Sequence, residues 1–65
     1  MTVYYGVIYF KDGTKVELGT HSGAGAETAA ERHAAQEFDM YMQTAQRTNE
    51  NFHRPTRYEV KSKEC

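Results

Sequence analysis

The feature that most constrains the fold is a hairpin signal near the N-terminus. Two stretches rich in β-branched and aromatic residues, VYYGVIYF at 3–10 and TKVELGT at 14–20, are separated by KDG. Glycine after aspartate favours a tight turn, because glycine tolerates the positive φ that such turns need. The pattern therefore predicts two antiparallel strands joined by a short loop.

The length of that loop decides which residues share a face of the hairpin. A two-residue loop pairs Tyr9 with Val16, whereas a three-residue loop over 11–13 pairs Ile8 with Val16. Both pairings are open from the sequence, and a slip of one residue exchanges the buried face of one strand. We favour the three-residue loop with Gly13 in a bulge. It gathers the apolar side chains on one face: Ile8, Phe10, Val16 and Leu18.

A long helix is predicted from Ala24 to about Arg47, where most residues are good helix formers and proline is absent. The helix should start near Gly25, with Ser22 as an early candidate N-cap and a capping-box pattern at 28–31. At about 100° per residue, one stripe collects the apolar side chains. These are Ala30, Ala34, Phe38, Tyr41 and Ala45.

The glycines before this helix raise the question of a phosphate-binding loop. The segment SGAG at 22–25 is followed neither by the third glycine of the dinucleotide fingerprint nor by the Gly-Lys-Ser/Thr ending of a P-loop. Glu27 and Glu31 in the first turns also offset the positive helix end that would attract an anion. We therefore expect a helix start here and no cofactor.

A third strand is predicted at 57–62, after a loop over 49–55 in which Phe52 anchors the chain to the core. The first strand is apolar on both faces, as a central strand should be. The sequence thus predicts one α+β domain over 1–65, in the order ββαβ. Its three-stranded antiparallel sheet has the order 2-1-3, with one long helix packed on one face. The predicted core is Ile8, Phe10, Val16, Leu18, Phe38, Tyr41, Tyr58 and Val60.

The other sheet face is the most unusual surface that this arrangement implies. Tyr5, Val7 and Tyr9 run down its centre, with charged residues of both outer strands at its sides. Tyrosines inside a polar rim are typical of protein interfaces. We predict a partner-binding face of eight residues: Tyr5, Val7, Tyr9, Lys15, Glu17, Arg57, Glu59 and Lys61. A second, weaker candidate lies on the helix at Ala29, His33, Met40 and Arg47.

Metal and catalytic chemistry is not indicated. His21, His33 and His53 are 12 and 20 residues apart without a cysteine pair, which is not the spacing of a zinc site. His33 and Glu37 predict a surface ion pair instead. One helix on a small sheet offers little cleft to shift the pKa of catalytic carboxylates, and Ser22 lacks a nucleophile-elbow context. We expect no enzyme activity.

Size and cysteine content favour a cytoplasmic chain that gains stability from a partner. Domains of about 60 residues bury only about 60% of their unfolded surface. The only cysteine is Cys65, so no disulfide forms within one chain, although an intermolecular one on oxidation stays open. We expect no signal sequence and no membrane span, because Lys11 and Asp12 interrupt the first apolar stretch. A larger protein or a second copy is the expected source of stability.

A nucleic-acid-binding module is the main alternative. Tyr5 and Tyr9 between basic residues could stack bases, as in single-strand binders. The net charge is −1, however, and residues 1–46 hold three basic and six acidic side chains, against five and three in 47–65. Because phosphate contacts dominate such affinities, a mixed-sign face should bind nucleic acid weakly.

In size and layout the whole chain resembles small phage-encoded inhibitors of bacterial defence, of which anti-CRISPR proteins are an example. The VYYGVIYF–KDG–TKVELGT hairpin and the single alanine-rich helix carry this resemblance, and no sequence motif contributes to it. It implies stoichiometric binding to a Cas protein or complex in the cytoplasm of a bacterial host, which blocks nucleic-acid entry or nuclease recruitment. A homodimeric accessory protein remains an alternative with the same layout.

Overall fold

The computed structural model describes residues 1–48 and 54–64, so the predicted anchor Phe52 and the role of Cys65 fall outside the described residues. Three strands form one antiparallel sheet of order 2-1-3, and the helix packs against the central strand and one outer strand. The predicted α+β fold and strand order are confirmed. Within the described ranges, no helix is long and apolar enough to cross a membrane. The elements are β1 (Thr2–Phe10), β2 (Lys15–Glu17), α1 (Ala26–Thr48) and β3 (Pro55–Glu64).

The hairpin between β1 and β2 has the three-residue loop that the sequence favoured. Ile8 lies opposite Val16. The Gly13 N–H donates to the Phe10 carbonyl at 3.1 Å, and the Phe10 N–H donates to the Thr14 carbonyl at 2.9 Å. Gly13 has a φ of +92°, which places it in the left-handed region that the bulge requires.

The second strand is shorter than the predicted 14–20, and its continuation is irregular. The Leu18 N–H still donates to the Gly6 carbonyl at 2.9 Å. Tyr4, however, lies opposite His21, one residue further along than the hairpin register requires. The extra residue forms a bulge. It places His21 on the same side of the sheet as Tyr4.

The third strand is longer than the predicted 57–62. Pro55, predicted to lie in the loop, is instead the fully buried first residue of β3 and lies opposite Phe10. Proline is tolerated as the first residue of an outer strand, because that position requires no N–H donor to the sheet. The register shifts between Tyr9 and Phe10, since Thr56 is an additional residue on β3.

The start of α1 lies at Ala26, next to the predicted Gly25. Gly23 and Gly25 have φ values of +89° and +77°, and their carbonyls accept hydrogen bonds from the N–H groups of Ala26 and Ala29. Gly25 therefore flanks the helix. Thr28 lies inside the first turn, so the predicted capping box at Thr28 is wrong.

Small residues allow α1 to approach β1 closely. A Cβ placed on Gly6 would lie 2.6 Å from the Cβ of Ala34, closer than two carbon atoms can pack. The helix stripe predicted from the sequence faces the sheet, with Ala30, Ala34 and Ala45 buried. The buried hydrophobic residues are Val3, Val7, Ile8, Ala26, Ala30, Ala34 and Ala45.

The larger predicted core residues lie at the margins of this set. The Phe10 and Tyr41 rings meet edge to face at 5.1 Å, and Phe38 lies 5.4 Å from Tyr58. Of the eight predicted core residues only Ile8 is fully buried, and most of the others are half-buried. Tyr58 is 38% exposed, so its assignment to the core is wrong. It lies on an outer strand, where Phe38 of α1 packs against its ring but leaves part of it exposed.

Candidate protein-binding face

The strand registers bring all eight predicted partner-binding residues to one face of the sheet. On β3, Lys61 lies opposite Tyr5, Glu59 opposite Val7, and Arg57 opposite Tyr9. Directly opposite residues project to the same face. Gly6 faces α1, so its neighbours on β1 face away from the helix. We call this surface the tyrosine face: Tyr5, Val7, Tyr9, Lys15, Glu17, Arg57, Glu59 and Lys61.

Exposure differs sharply among these residues. Val7 has no exposed surface, although α1 packs on the opposite face. The expectation that Val7 is open to a partner is therefore wrong, and a contact with Val7 requires its neighbours to move. Tyr5 and Tyr9 are half-buried, as are Glu59 and Lys61. Lys15, Glu17 and Arg57 are exposed.

We infer that a compact cluster of side chains around Tyr9 covers Val7. The Tyr9 hydroxyl donates a hydrogen bond to the carboxylate of Glu59, which lies opposite Val7. Its ring therefore extends along the face beside Val7. The guanidinium carbon of Arg57 lies 3.9 Å from the Tyr9 ring centroid. Arg57 and Lys61 also contact Glu59, at 3.6 Å and 3.5 Å between nitrogen and oxygen.

The contacts within this cluster stabilise its charges. The hydrogen bond from Tyr9 lowers the pKa of Glu59, and the charges of Lys61 and Arg57 act in the same direction against desolvation. The pKa of Lys61 is raised, first by its hydrogen bond with Tyr9 and then by its electrostatic interactions with Tyr9 and Glu59. Glu59 is therefore anionic and Lys61 cationic at neutral pH.

Tyr5 is held more loosely than Tyr9. The Lys63 ammonium lies 5.5 Å from the Tyr5 ring centroid, at the outer limit of a cation–π contact. Sequence reasoning missed Lys63 because the predicted strand ended at 62. The alternation that places Arg57, Glu59 and Lys61 on this face continues to Lys63 once β3 is extended.

The structure also brings together two histidines that are 12 residues apart in the sequence. The Nε2 atom of His21 lies 3.3 Å from Nδ1 of His33, so one ring donates and the other accepts a hydrogen bond. His33 and Glu37, predicted to pair across one helical turn, are in contact, with His33 Nε2 3.7 Å from Oε1 of Glu37. No group of three or more potential metal ligands occurs among the described residues. The bulge after β2, which has no sequence signal, creates the histidine contact.

The weaker helix candidate does not form one free surface. His33 is half-buried against His21, and Ala29 is also half-buried. Met40, by contrast, is 54% exposed. It borders a shallow surface depression with Glu37, Tyr41 and Thr44. Among the candidates from the sequence, the tyrosine face is thus the one whose members are contiguous.

Comparisons with protein-family models, with curated proteins and with solved structures found no match.

Proposed function

We propose that this chain is a non-enzymatic protein-binding module that acts through the tyrosine face. One observation carries the proposal: α1 covers one side of the sheet, and no described element covers the other side. That uncovered side presents two tyrosines among charged residues. Protein interfaces are enriched in Tyr and Arg, and Tyr adds contact area at a low cost in conformational entropy.

The arrangement of side chains favours a protein partner over a nucleic acid. Base stacking needs an accessible aromatic plane, but Arg57 already lies on the Tyr9 ring. Phosphate binding needs unpaired cations, but Arg57 and Lys61 both contact Glu59. A face with preformed, mixed-sign charges matches a protein surface of complementary pattern.

The resemblance to anti-CRISPR proteins supports a narrower form of this proposal. In that form the chain binds a component of a bacterial defence complex, such as a Cas protein, in the cytoplasm of the host. Binding inhibits by steric occlusion, with one inhibitor per blocked site, and requires no chemistry from the chain itself.

Affinity capture from bacterial lysate tests the proposal. The baits are the wild-type chain, the double variant Tyr5→Ala/Tyr9→Ala, and Met40→Ala as a control. Met40 is exposed on the opposite layer, so its loss should leave a tyrosine-face complex intact. We expect wild type and the control to retain the same protein in nuclease-treated lysate. The double variant should lose that protein while its far-ultraviolet circular dichroism stays near native.

Two results would contradict the proposal. Equal retention by all three baits would show that the tyrosine face makes no contact. Retention that disappears after nuclease treatment, or that falls steeply as salt rises, would indicate the nucleic-acid alternative.

A further inference from the structure

We propose that two copies of this chain form a symmetric dimer through the outer edge of β3. In this dimer the two β3 strands pair antiparallel around a two-fold axis at Val60, and the two sheets of three strands become one sheet of six. The proposal does not depend on the proposed function, because the tyrosine face stays uncovered in such a dimer.

The backbone hydrogen bonds show which groups on β3 are available for this pairing. The main-chain groups of Tyr4, Gly6 and Phe10 bond toward the β2 side of β1. In an antiparallel ladder the direction alternates, so their neighbours on β1 bond toward β3. The β3 residues opposite those neighbours point their N–H and C=O groups inward. The residues between them, Tyr58, Val60 and Ser62, therefore point theirs to the outer edge, where no described strand pairs with them.

Charge complementarity supports a second copy as the occupant, and it favours the Val60 register over a shift by one residue. With Val60 opposite Val60 of the second copy, Glu59 lies opposite Lys61 of the second copy, and symmetry repeats the pair. A shift of the axis to residue 59 or 61 would instead place like charges opposite each other at the centre. The proposed register leaves Arg57 opposite Lys63 at the two ends of the ladder, where exposed charges interact weakly.

On the face of the sheet that α1 covers, the side chains that this register brings together are sterically compatible. The two Val60 side chains form a β-branched pair across the axis. Tyr58 lies opposite the small Ser62 of the second copy, which leaves room for its ring. Tyr58 is 38% exposed at this edge although it packs on Phe38. Pairing would cover the part of the ring that α1 leaves open.

The other edge of the sheet lacks these properties. β2 has three residues, and a bulge interrupts its continuation before His21. Short and irregular edges are poor templates for strand addition. β3 has ten residues and pairs with β1 along almost its whole length. Only the β3 edge thus offers a long strand with regular outward groups.

Exchange of the paired charges tests the dimer. Wild type should sediment as a dimer, whereas Glu59→Lys and Lys61→Glu should each raise the dissociation constant at least about tenfold, because both central pairs become like-charged. An equimolar mixture of the two variants should dimerise again, since each lysine then faces a glutamate. The matched controls Glu17→Lys and Lys15→Glu on β2 should leave the wild-type dimer unchanged.

A backbone variant separates edge pairing from any dimer that buries the tyrosine face. Ser62→Pro removes an outward N–H and none of the bonds to β1, so the chain should still fold. It should raise the dissociation constant of the dimer at least about tenfold by loss of two symmetric hydrogen bonds and by steric clash. Ser62→Ala keeps the N–H and should behave like wild type. Circular dichroism checks the fold of each variant.

Several outcomes would overturn the dimer. One is a wild-type chain that stays monomeric up to a protein concentration of about 1 mM. Any dimer that is not populated at that concentration is very weak. Another is a mixture of the charge variants that does not reassociate. A dimer that survives Ser62→Pro but is lost in Tyr5→Ala/Tyr9→Ala would place the contact on the tyrosine face instead.

Discussion

The two faces of β1 reach the same burial at their centres by different means. Ile8 and Val7 are adjacent and neither has exposed surface. Ile8 lies under α1, in a contact that Gly6 and Ala34 allow to be close. We infer that side chains of its own sheet cover Val7, and the contacts among Tyr9, Arg57 and Glu59 hold those side chains in place. A buried residue therefore does not by itself indicate a second layer of structure.

This difference assigns different roles to the two faces. The helix face is a packed interface between elements, where a change in volume must be absorbed by backbone movement. The cover of the tyrosine face consists of long side chains that can rearrange when a partner arrives. We infer that the helix face determines the fold and that the tyrosine face is the surface adapted for contact.

The largest expected effect compares truncation on the two faces. Ile8→Ala should lower the free energy of unfolding by about 2–5 kcal/mol, through lost burial and a cavity that α1 cannot fill. Val7→Ala should lower the free energy of unfolding by only about 1.5 kcal/mol, because the polar side chains above Val7 can move to fill the vacated volume. Urea unfolding followed by circular dichroism measures both. Equal losses would show that the two faces are packed alike.

Two glycine-to-alanine variants test whether the close approach of α1 to β1 matters for stability. Gly6→Ala should destabilise by about 1–3 kcal/mol, since the new methyl group overlaps Ala34. Gly19→Ala is the matched control, because nothing lies within 4 Å of its added Cβ. It should stay within about 0.5 kcal/mol of wild type. Similar midpoints for the two variants in thermal unfolding would contradict the close packing.

Most of the fold followed from local sequence patterns, whereas details of the candidate site did not. The KDG turn and the alternation of the strands predicted the register of Ile8 with Val16, since turn chemistry and side-chain period act within a few residues. The histidine contact depends on a bulge without a sequence signal. The burial of Val7 depends on side-chain conformations contributed by two strands. The true length of β3 depends on pairing with β1, which the composition of its polar end did not indicate.

A smaller effect is expected from removal of one hydroxyl on the tyrosine face. Tyr9→Phe keeps the ring but removes the hydrogen bond that most lowers the pKa of Glu59. The pKa of Glu59 should therefore rise toward its ordinary value, as measured by nuclear magnetic resonance of the carboxyl group during acid titration. Tyr5→Phe, with its ring near Lys63, is the control. An unchanged pKa in Tyr9→Phe would contradict the cluster geometry.

The smallest effect concerns the dependence of stability on pH. Because the folded-state pKa of Glu59 is lowered, its contribution is present above the unfolded pKa and is lost as pH falls through the folded pKa. Glu59→Gln cannot titrate and should lose less stability than wild type over this acidic range. Unfolding midpoints in urea, measured from neutral to acidic pH, test this. Parallel curves for the two proteins would show that Glu59 gains nothing from its contacts in the folded state.

The unfolding of Tyr5→Ala/Tyr9→Ala tests the central claim most directly, because it asks whether the tyrosine face is needed for the fold. We predict that the double variant unfolds cooperatively and has native circular dichroism before the transition. Its loss in free energy of unfolding should be smaller than that of Ile8→Ala. If the double variant instead loses as much as Ile8→Ala or fails to fold, then the tyrosines belong to the folding core and the assignment of this face to partner binding is wrong.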